Sequence, residues 1–185
     1  FLILYSTFMP LYGFPHLLSF KKYHSWMIIT AVLSIPSFVH SEPPSHFDSS
    51  SLSPIHKGEF LLAQSLNEEA LRLYQSLIIE GREGGYAFRG MVRAYKNMDK
   101  LEEAEAWIEN FLVDNLNSSP ALYASGYVYY LKRDMEKAEQ FFNRALKFNA
   151  NNALALNNLG AILSRQKSHV QAAEKVRKAI SINPN

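Results

Sequence analysis

The chain contains no cysteine. That removes disulfides, thiolate metal ligands, cysteine nucleophiles and a lipid-modified N-terminal cysteine together, while saying little about compartment. Chemistry-bearing motifs are missing as well. There is no HExxH, no GxSxG and no GxxxxGK followed by Ser or Thr, so zinc hydrolysis, nucleophile-elbow hydrolysis and the phosphate loop lack their residues. Glycine numbers only eight in 185 residues. The one glycine-dense stretch, Gly81-Arg82-Glu83-Gly84-Gly85, falls between two helical segments and reads as a helix-ending connection. Of six histidines, His16, His24, His40 and His46 lie upstream, and His56 and His169 have no partner at ligand spacing. Nothing calls for a metal or a cofactor, and no catalytic residue is assigned.

An excess of one charge is lacking too. The 19 Lys and Arg face 17 Asp and Glu, and residues 1–41 hold two of the bases, Lys21 and Lys22, and none of the acids. The remainder is neutral, which leaves no electrostatic footprint for nucleic acid. Local clusters, Glu102, Glu103, Glu105 and Glu109 on one side and Lys175, Arg177 and Lys178 on the other, read as solvated outer helix faces.

Residues 1–41 are laid out as a secretory signal: two lysines, the apolar run Trp26 to Val39, then the small-residue site Val39-His40-Ser41. The run is interrupted by Pro36 and is shorter than the roughly 20 residues that span a bilayer. The segment is expected to be a signal peptide or a membrane anchor. It would place the protein in the periplasm or on the inner membrane facing it, or in the cytoplasm if the non-methionine start is a miscalled frame. Residues 42–52, rich in proline and serine, form a flexible linker.

What is present from there on is a period. Ala70, Ala104, Ala138 and Ala172 stand 34 residues apart, and other columns keep the same beat: Gly58, Val92, Gly126, Gly160; Tyr74, Ile108, Phe142, Val176; Leu77, Phe111, Ala145, Ala179. Each register splits into two apolar runs at helical spacing joined by a short polar stretch, which makes it an antiparallel helical hairpin. The expected fold is all-α: an α-solenoid of four tandem helix-turn-helix repeats at 51–84, 85–118, 119–152 and 153–185, a domain spanning 53–185, behind the signal or anchor segment and the linker. Small residues mark where paired helices approach most closely.

The order small-apolar, Gly, aromatic, then Ala, aromatic, Ala and Pro at this period resembles the tetratricopeptide repeat. The fullest copies are Ala121 to Tyr129 with Ala138, Phe142 and Ala145, and Ala155 to Gly160 with Ala172, Ala179 and Pro184. The resemblance covers about 135 of the 185 residues. Val92 departs from it where glycine is usual, Phe111 where alanine is usual, and Lys57 where an apolar residue is usual.

In such a solenoid the first helices line the concave side. Their non-core columns read Ile55, Glu59, Leu62; Arg89, Arg93, Lys96; Tyr123, Tyr127, Tyr130; and Asn157, Ala161, Ser164. Basic and aromatic bands side by side suit an acidic or aromatic-bearing peptide. Two blander readings stay open: the tyrosines fill the groove wall, and the cations pair with the acidic second hairpin. Asn158 is implied by the resemblance alone, since peptide-binding members often place asparagine near that glycine to hold the ligand's backbone. The candidate groove residues are therefore Arg89, Arg93, Lys96, Tyr123, Tyr127, Tyr130, Asn157 and Asn158.

The function expected is a non-enzymatic scaffold that binds a protein or peptide, set in an envelope, secretion or pilus assembly. The alternatives are a regulatory repeat region of a longer enzyme, such as a glycosyltransferase, and a repeat that self-associates through its uncapped last hairpin. Membrane association would come through the N-terminal segment; no nucleic-acid partner is expected.

Overall fold

In the computed structural model, residues 52–82 and 84–184 are described. Eight α-helices follow one another there: α1 Pro54–Ala63, α2 Asn67–Ile79, α3 Gly84–Asn97, α4 Leu101–Asp114, α5 Ser119–Leu131, α6 Met135–Phe148, α7 Ala153–Arg165 and α8 His169–Ile182. Pairs α1/α2, α3/α4, α5/α6 and α7/α8 are the four hairpins, and α2, α4, α6 and α8 all start in the same register of the 34-residue period. The expected signal segment, 1–41, and all but the last residue of the linker lie outside the described residues.

The expected fold class and location both included a membrane anchor, and that part is corrected. Among the described residues no helix is long and apolar enough to cross a membrane. The anchor, and the periplasmic or inner-membrane placement drawn from it, are therefore not carried further.

Every hairpin turns in the same way. Ser65, Asp99, Arg133 and Lys167, again one per period, sit in the left-handed region with φ of 61°, 61°, 69° and 63°. One residue later the backbone N–H reaches back to a carbonyl five positions earlier: Leu66 to Leu61 at 2.9 Å, Lys100 to Tyr95 at 2.9 Å, Asp134 to Tyr129 at 3.0 Å and Ser168 to Leu163 at 2.9 Å. This closure satisfies carbonyls that the ending helix leaves orphaned. Between the first two repeats Gly81 does the same job, with φ of 71° and Arg82 N–H on Leu77 O at 2.8 Å, as the glycine-dense stretch implied.

The alanine column is the core of the stack. Ala70, Ala104 and Ala138 are fully buried and Ala172 nearly so. Opposite them the glycines admit a large neighbour: a Cβ at Gly126 would stand 2.6 Å from Phe142 and 3.2 Å from the Ala138 carbonyl, and one at Gly160 would stand 2.7 Å from Val176. Real Cβ atoms essentially never come as close as 2.6 or 2.7 Å, so a side chain at either glycine would require the facing Phe142 or Val176 to shift.

The first helices α1, α3, α5 and α7 pack on one another in order, whereas the second helices pack chiefly on first helices. That puts the first helices on the inner, concave side. The second repeat departs from the others: α3 packs more closely on α2 of the preceding repeat than on its own partner α4.

Candidate functional site

The concave wall is built from columns of α1, α3, α5 and α7 that recur every 34 residues, so residues one period apart are neighbours across stacked helices. Glu59 and Arg93 are such a pair. Arg93 Nη1 donates to both Glu59 oxygens, at 2.6 and 2.5 Å. Burial would pull the Arg93 guanidinium down, but the Glu59 carboxylate more than offsets this and holds it above its ordinary value. Tyr74 donates to the same carboxylate at 3.5 Å; its phenol is pushed well up by burial first and by Glu59 second. Arg93 is thus not paired with the acidic second hairpin. Its partner is the preceding member of its own column.

The tyrosine band divides. Tyr123 is fully buried, its ring stacked on Tyr127 at 6.0 Å and on Phe142 at 5.9 Å, and its hydroxyl accepts from Asn158 Nδ2 at 3.4 Å. Burial raises its pKa strongly. Tyr127 is half-buried where Tyr123 is fully buried, and Asn158 is engaged in holding the buried Tyr123 hydroxyl. Tyr127 is also raised by burial, against the pull of Arg93 and Arg89. Tyr130 is half-buried beneath Arg165, whose guanidinium lies 5.6 Å from the ring centre.

Arg89 differs from Arg93. Its guanidinium lies 5.2 Å from the ring centre of Tyr86, and its Nε is buried without a hydrogen-bond partner, alone in this among the described side-chain groups. Lys96 is exposed in the last turn of α3. Asn157 is exposed and lines a cavity of about 320 Å³ together with Tyr86, Arg89, Leu154, Ala179 and Asn183. The solenoid curls tightly here. A Cβ on Gly85 at the start of α3 would lie 3.0 Å from Leu154 of α7, and Asn183, just past α8, donates to the hydroxyl of Tyr86. The second and fourth repeats therefore touch across one edge of the groove.

The acidic second hairpin is only partly a solvated face. Glu105 is half-buried; it accepts from the Tyr129 hydroxyl and from Lys132 Nζ at 2.5 Å, joining α4 to α5. Burial pushes the Glu105 carboxyl up, but the bonds from Lys132 and Tyr129 outweigh it and hold it below the usual carboxylate range. Tyr129 is pushed up to about 12, chiefly by its bond to Glu105. The sequence reading missed this bridge, the Glu59–Arg93 pair and the place of Tyr86. Only the Glu59–Arg93 pair could have been found from the period, since its members stand 34 residues apart, whereas Glu105 and its partners are 24 and 27 apart.

Among the described residues no three His, Cys, Asp or Glu side chains come together as a metal site. The described residues form a helical-hairpin solenoid with a tetratricopeptide-like fold. Residues 119–152 match the tetratricopeptide repeat family model; the chain carries a tetratricopeptide repeat there, in the third hairpin. A search of the curated proteins finds no match. Among solved structures, the chain is similar to TTC0263, a thermophilic tetratricopeptide-repeat protein of Thermus thermophilus, at 18% identity and TM-score 0.54 over 71% of this chain and 73% of that one. It is similar also to MamA from Desulfovibrio magneticus RS-1, at 17% identity and TM-score 0.48 over 71% and 74%. YrrB, described as a tetratricopeptide-repeat protein with an unusual peptide-binding site, aligns at 19% identity and TM-score 0.47 over 71% and 68%. Of these, only TTC0263 bears on this chain, and on its fold alone.

Proposed function

We propose that this solenoid is a non-catalytic interaction module that holds an extended peptide segment of a partner protein along its concave face. The observation that carries the reading is the contrast between the two groove arginines. Arg93 is neutralised by Glu59, whereas Arg89 carries a charge with no carboxylate partner among the described residues, and the half-buried Tyr127 lies within reach of that charge. A cation and an aromatic face side by side supply charge-assisted bonds and stacking, the two contacts that anchor peptides most strongly. Arg89, Tyr127, Tyr130 and Asn157 are the contact residues, with Lys96 at the rim. Tyr123 and Asn158 support Tyr127 from below, and Arg93 fixes the wall. An envelope, secretion or pilus setting rested on the leader segment and is not part of this proposal.

The test is selection from a displayed peptide library. Enriched peptides are expected to carry acidic or aromatic residues and to lose binding to Arg89→Glu combined with Tyr127→Ala, while that variant keeps its helical circular dichroism. Peptides that bind wild type and variant alike would reject the groove. A second reading, self-association through α8, has behind it the exposed Val170 and Ile180, 84% and 56% accessible. A mass that stays constant as concentration rises counts against it.

A further inference from the structure

We propose that the contact between the second and fourth repeats is a latch: it holds the concave groove closed along one edge in the free protein and parts when a segment is bound. The inference rests on the groove reading and concerns how that groove is regulated.

The contact is thin. Neither α7 nor α8 packs along α3 as α5 does. Side chains bridge the gap instead: Asn183 Nδ2 donates to the Tyr86 hydroxyl, and Leu154 comes so near α3 that a Cβ on Gly85 would stand 3.0 Å from it. Cavities of about 320 and about 310 Å³ lie against the contact, and Tyr86, Leu154 and Asn183 line both. A bridge between two voids buries little apolar surface, unlike the close-packed hairpins, so parting it forfeits few contacts.

Closure also carries a cost. The Arg89 Nε–H is buried with no hydrogen-bond partner, and Arg89 lines the larger of the two cavities together with Leu154 of the fourth repeat. An unpaired buried donor destabilises the state that contains it. The contact spans α5, whose Tyr123 is fully buried and within electrostatic reach of Arg89 and Tyr86. Parting the contact would return the Arg89 Nε–H to water or to a ligand and uncover the inner face of α5. Few contacts holding the edge shut, and an unpaired donor opposing them, leave the closed and open forms close in free energy. That is the condition for a two-state element whose balance a bound segment can shift.

The absence of cysteine gives a clean background for labels. Spin labels on Arg82→Cys and Asn151→Cys, exposed positions just ahead of α3 and α7, report the gap across the edge by double electron–electron resonance. The otherwise native chain is expected to give mainly the short distance. Gly85→Leu should lengthen it at unchanged helical circular dichroism: Gly85, unlike Gly84, does not have a positive φ, so a helix-favouring leucine suits the backbone and obstructs Leu154. Tyr86→Phe, which removes the hydroxyl alone, should lengthen it less. Binding is read with the synthetic peptide acetyl-Glu-Tyr-Glu-Tyr-Glu-amide, which carries the acidic and aromatic groups of the groove reading. Gly85→Leu is expected to raise its affinity about tenfold, the gain from removing a closed form that holds about nine-tenths of the population. Gly85→Cys with Leu154→Cys, bridged by dibromobimane, should lower it about tenfold or more. Saturating peptide should lengthen the distance in the otherwise native chain. Equal affinity in the open, native and bridged forms overturns the latch and leaves the groove reading standing, as does a label distance that neither Gly85→Leu nor bound peptide changes. A distance that lengthens in Gly85→Leu while the peptide binds no form removes the groove reading, and the regulation with it.

Discussion

In the third repeat a glycine of the first helix lies against an aromatic ring of the second, Gly126 on Phe142, with Ala138 and Ala145 fully buried on either side. In the second repeat those places are held by Val92, Ile108, Ala104 and Phe111, and α3 leans on the preceding repeat instead of on α4. Three rings occupy the space between them. Trp107 stacks on Phe111 at 5.8 Å, and Phe88 meets Phe111 edge-on at 5.3 Å. The glycine has not vanished; it has moved. Gly90 stands where a Cβ would be 2.2 Å from the ring of Tyr74, and Gly58 faces the same ring from the other side. One motif therefore closes on itself in the third repeat and across the repeat boundary in the second. Close approach is kept as geometry, and the residue that permits it follows the helix pair that needs it.

The largest effect that would break this comparison is expected from Phe142→Ala. Its ring is fully buried and sits directly over Gly126, so truncation leaves a cavity and should cost about 3–5 kcal/mol. Phe111→Ala in the second repeat removes the same side chain from a half-buried place and should cost about 2 kcal/mol, since less surface is withdrawn from water and solvent can fill the gap. Urea midpoints of the two variants would then differ clearly. Equal losses would mean that the two hairpins are packed alike.

Val92→Gly comes next and separates sequence pattern from structure. The repeat pattern treats Val92 as a departure, so glycine there would look like a repair. Val92 is fully buried, and replacing it removes three buried carbons and puts glycine inside a helix, for a loss of about 3 kcal/mol. The complementary change, Gly90→Ala, pushes a methyl into Tyr74 and should cost about 1–3 kcal/mol although alanine favours helix. A stabilised Val92→Gly would show that α3 and α4 can close as α5 and α6 do.

How much of this could be read in the chain depends on the kind of interaction. The alanine and aromatic columns were legible because burial leaves a periodic trace, and hairpins follow from that trace alone. The groove columns were legible as positions but not as states. Arg89, Arg93 and Tyr123 look equivalent in sequence, yet one carries an unpaired buried donor, one is locked to Glu59 and one is sunk beneath Tyr127. What distinguishes them is the tightness of the superhelix, which brings α3 against α7 and Asn183 against Tyr86. That curl is a sum of small rotations between repeats, set by which side chains wedge each interface, and no single column reports it.

The smallest expected effect concerns the turns. Glycine is the usual residue at a left-handed helix end, and its absence from all four hairpin turns hid their common geometry. Asp99 in the second repeat and Arg133 in the third hold nearly the same φ, 61° and 69°. For most side chains that conformation costs about 1–2 kcal/mol, and aspartate tolerates it better because its short polar group can bond locally. Glycine relieves the strain but adds freedom to the unfolded chain, which takes back about 0.4–1 kcal/mol. Arg133→Gly should therefore stabilise by about 0.5–1 kcal/mol and Asp99→Gly by close to nothing. A shift of the urea midpoint at unchanged slope would register the first; equal gains from both would show that the two turns carry the same strain despite their different residues.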